Sequence, residues 1–400
     1  MAAQPSKYSF VSTHPPEPLR NLYIHVPFCA HKCSYCAFYS HAPDGDLIDR
    51  YVSALIRELE FVAADLTPDT VFFGGGTPSM LSISHWKRIL GAMERLELLG
   101  ASEWTVECNP ATVSSDKARL LRDFGVNRIS MGVQSLDASL LDKLGRIHTR
   151  DMVFKSFNTL RKAGFDNLNL DLMFAIPGQT MDMWKATLAE IATFESEHLS
   201  CYEVIYEEDT PLFAQMKAGE FDLDAELAAA MHEELTEFAE ENGYQQYEIA
   251  NFARNPAGGN PENPSLACRH NINYWRGGSY FGLGPSAAGY ERGVRTKNWS
   301  NTQIYCEHVE QSGRAIESRE ELGAVARAGE TAAFGLRMNA GWRFDEFRRI
   351  SGADLREEWT TEMDQLVKLD YARRDETGFQ LTPQGLRYAD WAAELFLRAD

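Results

Sequence analysis

The stretch Tyr23-Ile24-His25-Val26-Pro27-Phe28-Cys29-Ala30-His31-Lys32-Cys33-Ser34-Tyr35-Cys36 reads as a short apolar strand followed at once by three cysteines spaced C-x3-C-x2-C. Thiols this close can wrap a compact loop around one iron–sulfur cluster. A [4Fe–4S] cube normally takes four thiolates. With Cys29, Cys33 and Cys36 as ligands, one iron keeps no protein ligand, and an open position is what a metal centre needs to receive a small molecule. Two plainer readings compete: a zinc site with a distant fourth ligand, and three ordinary buried cysteines. The spacing suits zinc poorly, and an aromatic residue precedes the last cysteine. The chain has seven cysteines, an odd count unlike a secreted disulfide framework. That usage points to a reducing compartment where thiolates are kept for metal.

Outward from this stretch, short β-like runs alternate with longer helical ones. The first strand is Leu22 to Pro27, and a helix follows from Leu47 to Ala64, with Leu47, Tyr51, Leu55 and Leu59 on one face. The second strand, Thr70 to Phe73, ends in Gly74-Gly75-Gly76. Further strands fit Trp104–Glu107, Arg128–Val133, Leu168–Phe174 and Leu199–Tyr206. Helices fit Ser82–Leu98, Ser115–Phe124, Val153–Ala163, Met181–Phe194 and Asp224–Asn242. Such β-then-α repetition predicts an α/β fold with a parallel sheet, doubly wound or curled into a full or partial barrel. Cys29, Gly74, Glu107, Gln134 and Asp171 all fall at or near C-terminal strand tips, the edge where parallel α/β folds place their chemistry.

The rest of the chain sets limits. A composition 44% hydrophobic and 24% charged is that of a globular protein, and no run approaches the ~18 apolar residues of a membrane span. Residues 1–20 hold prolines and no apolar run, so they read as a loose extension and not a secretory signal. A formal charge of −19 disfavours nucleic acid as a partner. Residues 21–245 form the expected barrel, 246–315 a connecting segment with a proline- and glycine-rich loop, and 316–400 a small, mainly helical, winged-helix-like domain. From Glu317 onward the chain reads as mostly helical, and Thr382-Pro383 makes a good start for the last helix.

The cysteine spacing after a first strand resembles the radical S-adenosylmethionine superfamily. Tyr-Ile-His-Val-Pro-Phe-Cys and Gly74-Gly75-Gly76-Thr77-Pro78 narrow the resemblance to the branch of oxygen-independent coproporphyrinogen dehydrogenases and HemW-type heme chaperones. It implies a partial (β/α)6 barrel, a [4Fe–4S] cluster on Cys29, Cys33 and Cys36, and S-adenosylmethionine at the open iron. By the same resemblance Tyr23 and Tyr35 flank the adenosylmethionine, and Gly75, Gly76 and Thr77 line its pocket. Glu107, Gln134, Arg146 and Asp171 surround that ligand, a second copy of it, or the substrate. Plainer readings stand beside these: a tight turn for the glycines and a surface charge for Arg146. Asp171, between Leu170 and Leu172, would be costly to bury without a partner.

Two features separate the branches. Dehydrogenases usually carry another cysteine two residues after the third cluster cysteine; here Cys36-Ala37-Phe38 has phenylalanine, as the chaperone branch does. His270-Asn271-Ile272-Asn273-Tyr274-Trp275 matches that branch's His-Asn-x-x-Tyr-Trp motif. The match implies His270 as an axial heme ligand and Tyr274 and Trp275 as apolar surface for the porphyrin. A lone histidine beside aromatics is otherwise more often a satisfied core residue. Cys268 is a weaker heme-ligand candidate; Cys108, Cys201 and Cys306 are given no role. Gly282 to Gly289 resembles a dinucleotide fingerprint only superficially and reads as a tight backbone bend.

The resemblance therefore implies a chaperone that binds heme and passes it to acceptors such as respiratory enzymes, served by a reductant protein. It implies a cytoplasmic location, with membrane contact only transient and through a partner, and allows a homodimer. The alternatives are an enzyme that decarboxylates coproporphyrinogen propionates, or one that opens or methylates heme.

Overall fold

The computed structural model describes residues 17–399, so most of the expected extension over 1–20 lies outside the described residues. Strands and helices alternate through β1 (Leu19–Val26), α1 (Leu47–Val62), β2 (Leu66–Gly75), α2 (Ile83–Arg95), β3 (Glu103–Cys108), α3 (Ser115–Asp123) and β4 (Arg128–Gln134). They continue with α4 (Ala138–Lys143), α5 (Arg150–Lys162), β5 (Leu168–Phe174), α6 (Met181–Ala192), β6 (His198–Glu203), α7 (Pro211–Lys217) and α8 (Ala225–Glu241). Next come β7 (Tyr244–Glu248), β8 (Asn251–Arg254), α9 (Arg269–Trp275) and β9 (Phe281–Leu283). These strands form one nine-stranded sheet in the order β7-β8-β6-β5-β4-β3-β2-β1-β9. β1 to β6 and β9 run parallel, while β8 pairs antiparallel with β6 and β7 with β8.

The two faces of this sheet differ chemically, and that difference curls it. Leu22, Ile24, Val71, Phe73, Trp104, Val106, Ile129, Met131, Leu168, Leu170 and Leu172 are buried in the main core. Fully burying one such side chain is worth roughly 1.5–3 kcal/mol, so this outer face supplies most of the sheet's stabilisation. The alternate positions are polar: His25 on β1, Thr105 and Glu107 on β3, Arg128 and Ser130 on β4, Asn169 and Asp171 on β5, His198 and Ser200 on β6. A parallel sheet covered by helices on both sides is apolar on both faces. One with helices outside and polar side chains inside encloses a lumen, which here is a partial (β/α)6 barrel.

The helix α9 closes the floor of that lumen. Glu103, the first residue of β3, accepts the backbone N–H groups of Arg269 (2.8 Å) and His270 (2.9 Å), which have no partner within their own helix. Beyond β9 the chain adds β10 (Ala288–Glu291), β11 (Val294–Asn298), α10 (Thr302–Ser312) and β12 (Ile316–Glu321), the three strands making a small antiparallel sheet. The C-terminal module follows as α11 (Ala324–Gly335), β13 (Trp342–Arg343), α12 (Phe344–Ser351), α13 (Leu355–Glu358), α14 (Thr360–Lys368), β14 (Ala372–Arg374), β15 (Gly378–Leu381), α15 (Pro383–Leu386) and α16 (Ala389–Glu394). It has its own core around Trp342, Phe347, Trp359 and Phe396 and a second three-stranded sheet.

Several boundaries shift from those expected. β1 opens at Leu19, and β2 runs through Gly75 because Gly74 and Gly75 still pair with His25 and Val26. The segment after residue 245 is more than a connector: β8 and β9 extend the barrel sheet at opposite edges. Residues 316–321 form a strand, not a helix; all six side chains are exposed, so apolar alternation was absent from the sequence. Thr382 does cap a helix, accepting the Gly385 N–H, but the last helix is broken into α15 and α16.

Glu58, fully buried on α1, ties β9 and its surroundings to the barrel through the Gly284 N–H, Asn298 and the Tyr305 hydroxyl. Gly284 has φ +94, and a Cβ there would lie 2.4 Å from the His25 carbonyl oxygen. Gly284→Ala is therefore expected to cost about 1–3 kcal/mol in backbone strain alone, before the clash is relieved. Chemical denaturation of the cofactor-free protein checks this; an unchanged midpoint would rule it out.

Candidate cofactor site

The cysteine loop leaves β1 and is closed at its neck by main-chain bonds. Cys29 N–H donates to His41 O (3.0 Å) and His41 N–H to Pro27 O (2.9 Å). Further along, Ser34 N–H reaches Leu144 O (3.0 Å), and Leu212 N–H reaches Ser34 O (2.9 Å). The loop is thus fastened to the segments that follow β4 and β6. Cys29, Cys33 and Cys36 are half-buried and in no disulfide. Among the described residues no three His, Cys, Asp or Glu side chains converge on one metal ion. Three reduced thiols on one short pinned loop, with the Arg146 guanidinium 3.6 Å from Cys33 Sγ, suit an anionic cluster gripped at separate corners. Burial raises the Cys36 thiol.

The glycine run lies against the root of this loop. Gly76 N–H donates to Val26 O (2.9 Å) and Thr77 N–H to Phe28 O (2.8 Å). Gly75 has φ +97, and a Cβ there would lie 2.3 Å from the His25 ring, so only glycine lets the two strands meet. The Thr77 hydroxyl is 3.4 Å from Cys29 Sγ. Gly75 N–H donates to Glu107 Oε2 (3.1 Å), which joins the tip of β3 to the glycines. Burial and then the Asp171 carboxylate push Glu107 up to about 8, against the pull of the Gly75 N–H and Arg128. Burial also raises Asp171, although Asn169 and Ser130 hydrogen-bond to it.

Gln134 ends β4 at φ +64, beyond a register shift that breaks the β4–β5 ladder after Gly132. A left-handed non-glycine residue at a strand tip is strained backbone of the kind that clusters at ligand sites. Arg146 donates to Gly132 O (2.5 Å), so Gln134, Arg146 and Cys33 come together around one glycine. Tyr35 packs with Leu140, Leu144 and Val204 under the loop. Tyr23 donates its hydroxyl to His25 Nδ1 (3.0 Å), and His25 Nε2–H donates to Tyr39 O (2.8 Å). Burial lowers the His25 pKa, so this imidazole is neutral with both nitrogens used.

The heme-motif residues are placed differently. His270 is fully buried: Nδ1–H donates to the Thr70 hydroxyl (2.7 Å) and Nε2 accepts from the Tyr274 hydroxyl (2.7 Å). Phe72 stacks on its ring at 5.2 Å. Burial lowers its pKa to about 3. The imidazole and Tyr274 belong to the lumen floor, His270 buried and Tyr274 partly exposed. Trp275 faces the C-terminal module, with the Arg337 guanidinium 4.8 Å from its ring centroid. In this ligand-free arrangement both ring nitrogens of His270 have protein partners, so a role as heme-iron ligand would require exchanging the bond to Thr70 or Tyr274. Cys268 is buried against Glu103 and is equally closed off.

Other residues of the site were not singled out from sequence. Thr302 at the start of α10 holds the exit of the cysteine loop: its hydroxyl donates to His41 Nε2 (2.8 Å), and its N–H donates to the Tyr39 hydroxyl (3.1 Å). It lies more than 260 residues from the loop, and nothing local marks it. In the lumen, the Tyr247 hydroxyl, His198, Asn169 and Asp171 form a hydrogen-bonded chain. Its signal was visible in the alternation Leu168-Asn169-Leu170-Asp171-Leu172.

Two predictions follow from this geometry. A carboxyl raised in the folded state binds protons that the unfolded chain has already released, so stability falls as pH rises from the ordinary 4.5 toward about 8. Glu107→Gln removes that loss, so the variant's melting temperature minus wild type's is expected to grow between pH 5 and pH 9 in cofactor-free protein; a flat difference contradicts it. Thr302→Val leaves the loop exit without its hydroxyl partner. Anaerobically reconstituted variant is expected to lose iron and sulfide to a chelator faster than wild type, with Thr302→Ser restoring the wild-type rate.

The sequence profile of the radical SAM superfamily matches residues 23–191. The chain is 33% identical over 380 residues to the heme chaperone HemW of Lactococcus lactis subsp. lactis (strain IL1403), covering 94% of this chain and 97% of that protein. It is 34% identical over 373 residues to the heme chaperone HemW of Bacillus subtilis (strain 168), covering 92% and 96%. Among solved structures it superposes on coproporphyrinogen III oxidase (HemN) from Escherichia coli with a TM-score of 0.81, covering 96% of this chain and 91% of that one. At 22% identity that likeness speaks for the fold. Near-complete coverage at a third of positions, together with the cysteine loop described above, places the chain in the HemW family of the radical S-adenosylmethionine superfamily.

Proposed function

We propose that this protein is a heme chaperone, binding heme and delivering it to acceptor proteins while holding a [4Fe–4S] cluster and S-adenosylmethionine. The observation that carries the reading is the near end-to-end similarity to proteins named heme chaperones. Phe38 supports it, because it stands where the dehydrogenase branch is expected to carry a further cysteine.

In this reading Cys29, Cys33 and Cys36 hold three corners of the cluster. Bound there, the cluster would supply one-electron chemistry to a sulfonium compound. Gly75, Gly76 and Thr77 bring backbone close to that compound, and Tyr23 and Tyr35 flank it. Glu107 would accept hydrogen bonds from its amino group or ribose hydroxyls, and Gln134, Arg146 and Asp171 would surround a second copy of it or the substrate. Thr302, Tyr39 and His41 keep the loop in place. The acceptors are heme-requiring proteins such as respiratory enzymes, and a reductant protein supplies electrons. The free thiols suit a reducing cytoplasm. No helix among the described residues is long and apolar enough to cross a membrane, so membrane contact would come through a partner.

The test is heme transfer. Hemin-loaded, cluster-bearing protein is expected to load an apo-heme acceptor, and Cys33→Ser, which lacks one cluster anchor, to retain little iron and sulfide and to transfer poorly. Multiple-turnover formation of protoporphyrinogen from coproporphyrinogen III, with reductant and S-adenosylmethionine present, would instead establish the dehydrogenase.

A further inference from the structure

We propose that His198 and Tyr247 are positioning residues of the lumen, aiming N–H and O–H groups at Asp171 so that its carboxylate stays an acceptor for a donor-bearing ligand. The proposal rests on the chaperone reading, in which Asp171 lies beside a second S-adenosylmethionine or the substrate, and it states what prepares that side chain.

Strand register brings the parts within reach. β5 and β6 pair Asn169 with His198 and Asp171 with Ser200. Asn169 and Asp171, two residues apart on β5, share its lumen face. Tyr247 enters from β7. Tyr247, His198 and Asn169 are buried, whereas Asp171 is only half-buried and forms the open end of the chain.

The sense of that chain is fixed at its floor end. The N–H of Cys268, the residue that opens α9, donates to the Tyr247 hydroxyl (3.1 Å). A main-chain N–H can only donate. The hydroxyl in turn spends its own hydrogen on His198 Nε2 (2.8 Å). Burial and then the Arg128 guanidinium hold the His198 pKa well below the ordinary value, so the imidazole is neutral. Its single proton is therefore on Nδ1, donating to Asn169 Oδ1 (2.7 Å). The Ser200 hydroxyl shares its hydrogen between that oxygen (3.1 Å) and Asn251 Oδ1 (2.8 Å). With its oxygen engaged, the Asn169 amide turns its N–H groups to Ser130 Oγ (2.7 Å) and Asp171 Oδ1 (2.7 Å). Ser130 Oγ–H then donates to Asp171 Oδ2 (3.1 Å).

Each link alone admits two arrangements: a hydroxyl turns, an imidazole changes tautomer, an amide flips. The one irreversible donor at α9 selects the set that ends with N–H and O–H pointing at Asp171. In the reverse set the Asn169 oxygen would face Asp171, which suits only a protonated carboxyl, and the Tyr247 hydroxyl would lose its acceptor. Burial raises the Asp171 pKa, and the bonds from Asn169 and Ser130 act against it. An acceptor-only carboxylate also discriminates. It receives ammonium and hydroxyl groups and repels the propionates of a porphyrin, which favours S-adenosylmethionine over heme as its partner.

The test is anaerobic equilibrium dialysis of radiolabelled S-adenosylmethionine against full-length, cluster-bearing protein. Asp171→Asn is expected to weaken binding about tenfold, and Tyr247→Phe, which removes only a hydroxyl, about threefold or more. The double variant is expected to bind no more weakly than Asp171→Asn alone, because Tyr247 acts through Asp171. His198→Leu should behave as Tyr247→Phe, and His198→Gln, whose amide can still accept and donate, should restore most of the affinity. Nitrogen NMR of histidine-labelled, cluster-free wild type, assigned with His198→Gln, is expected to find the His198 proton on Nδ1. Additive losses in the double variant, or wild-type affinity in Tyr247→Phe and His198→Leu, overturn the proposal and leave the role of Asp171 standing. Wild-type affinity in Asp171→Asn removes Asp171 from that ligand site and the proposal with it. If wild type binds no S-adenosylmethionine, the reading beneath both falls. Should the variants fail to hold a cluster, the tautomer decides: a proton on Nε2 overturns the proposal.

Discussion

Polar side chains turned into a closed protein interior are costly without partners, a requirement that Glu103, Glu107, Asp171 and His198 of the barrel meet, while among the described residues Thr105 Oγ1 and Arg128 Nε do not. The outer face of the sheet is held by apolar packing that tolerates many residue choices. The inner face tolerates few, because an unpartnered buried polar group costs about 1–3 kcal/mol. Glu103 meets the requirement at the floor by accepting two main-chain N–H groups of α9, and Glu107 meets it at the mouth by accepting that of Gly75. Asp171 is held between Ser130 and Asn169. Carboxylates placed at both ends of the lumen thus fix a helix below and the glycine run above.

The same constraint explains the electrostatics. Glu107 and Asp171 repel each other across the lumen and are both raised by burial, while Arg128 and Arg146 supply the opposing charge. Burial therefore favours the protonated form of both carboxyls in the ligand-free interior.

Much of this was legible in the sequence because it is local. The cysteine spacing, the glycine run at the end of β2 and the polar positions of β4 and β5 are each signalled within a few consecutive residues, and strand geometry brings their tips to one edge. What could not be read was long-range. Thr302 reaches the cysteine loop across more than 260 residues, and β9 joins β1 by a parallel pairing with no local signature. The His270 motif adds a different kind of long-range dependence: its residue types suit a porphyrin, while in the fold both imidazole nitrogens take protein partners from β2 and α9. Chemistry read from residue type alone does not say which way a side chain faces.

The floor helix has a second attachment. Arg276, directly after α9, donates to Gly341 O (2.6 Å), and Asn339 N–H donates to Tyr247 O (3.0 Å). Glu248 and Arg337 approach to 3.7 Å across the same seam. The plate that seals the barrel is thereby also the bracket on which the C-terminal module is mounted. The two bodies meet at this seam, so a substitution in it bears at once on the module and on the ground beneath Tyr274 and His270.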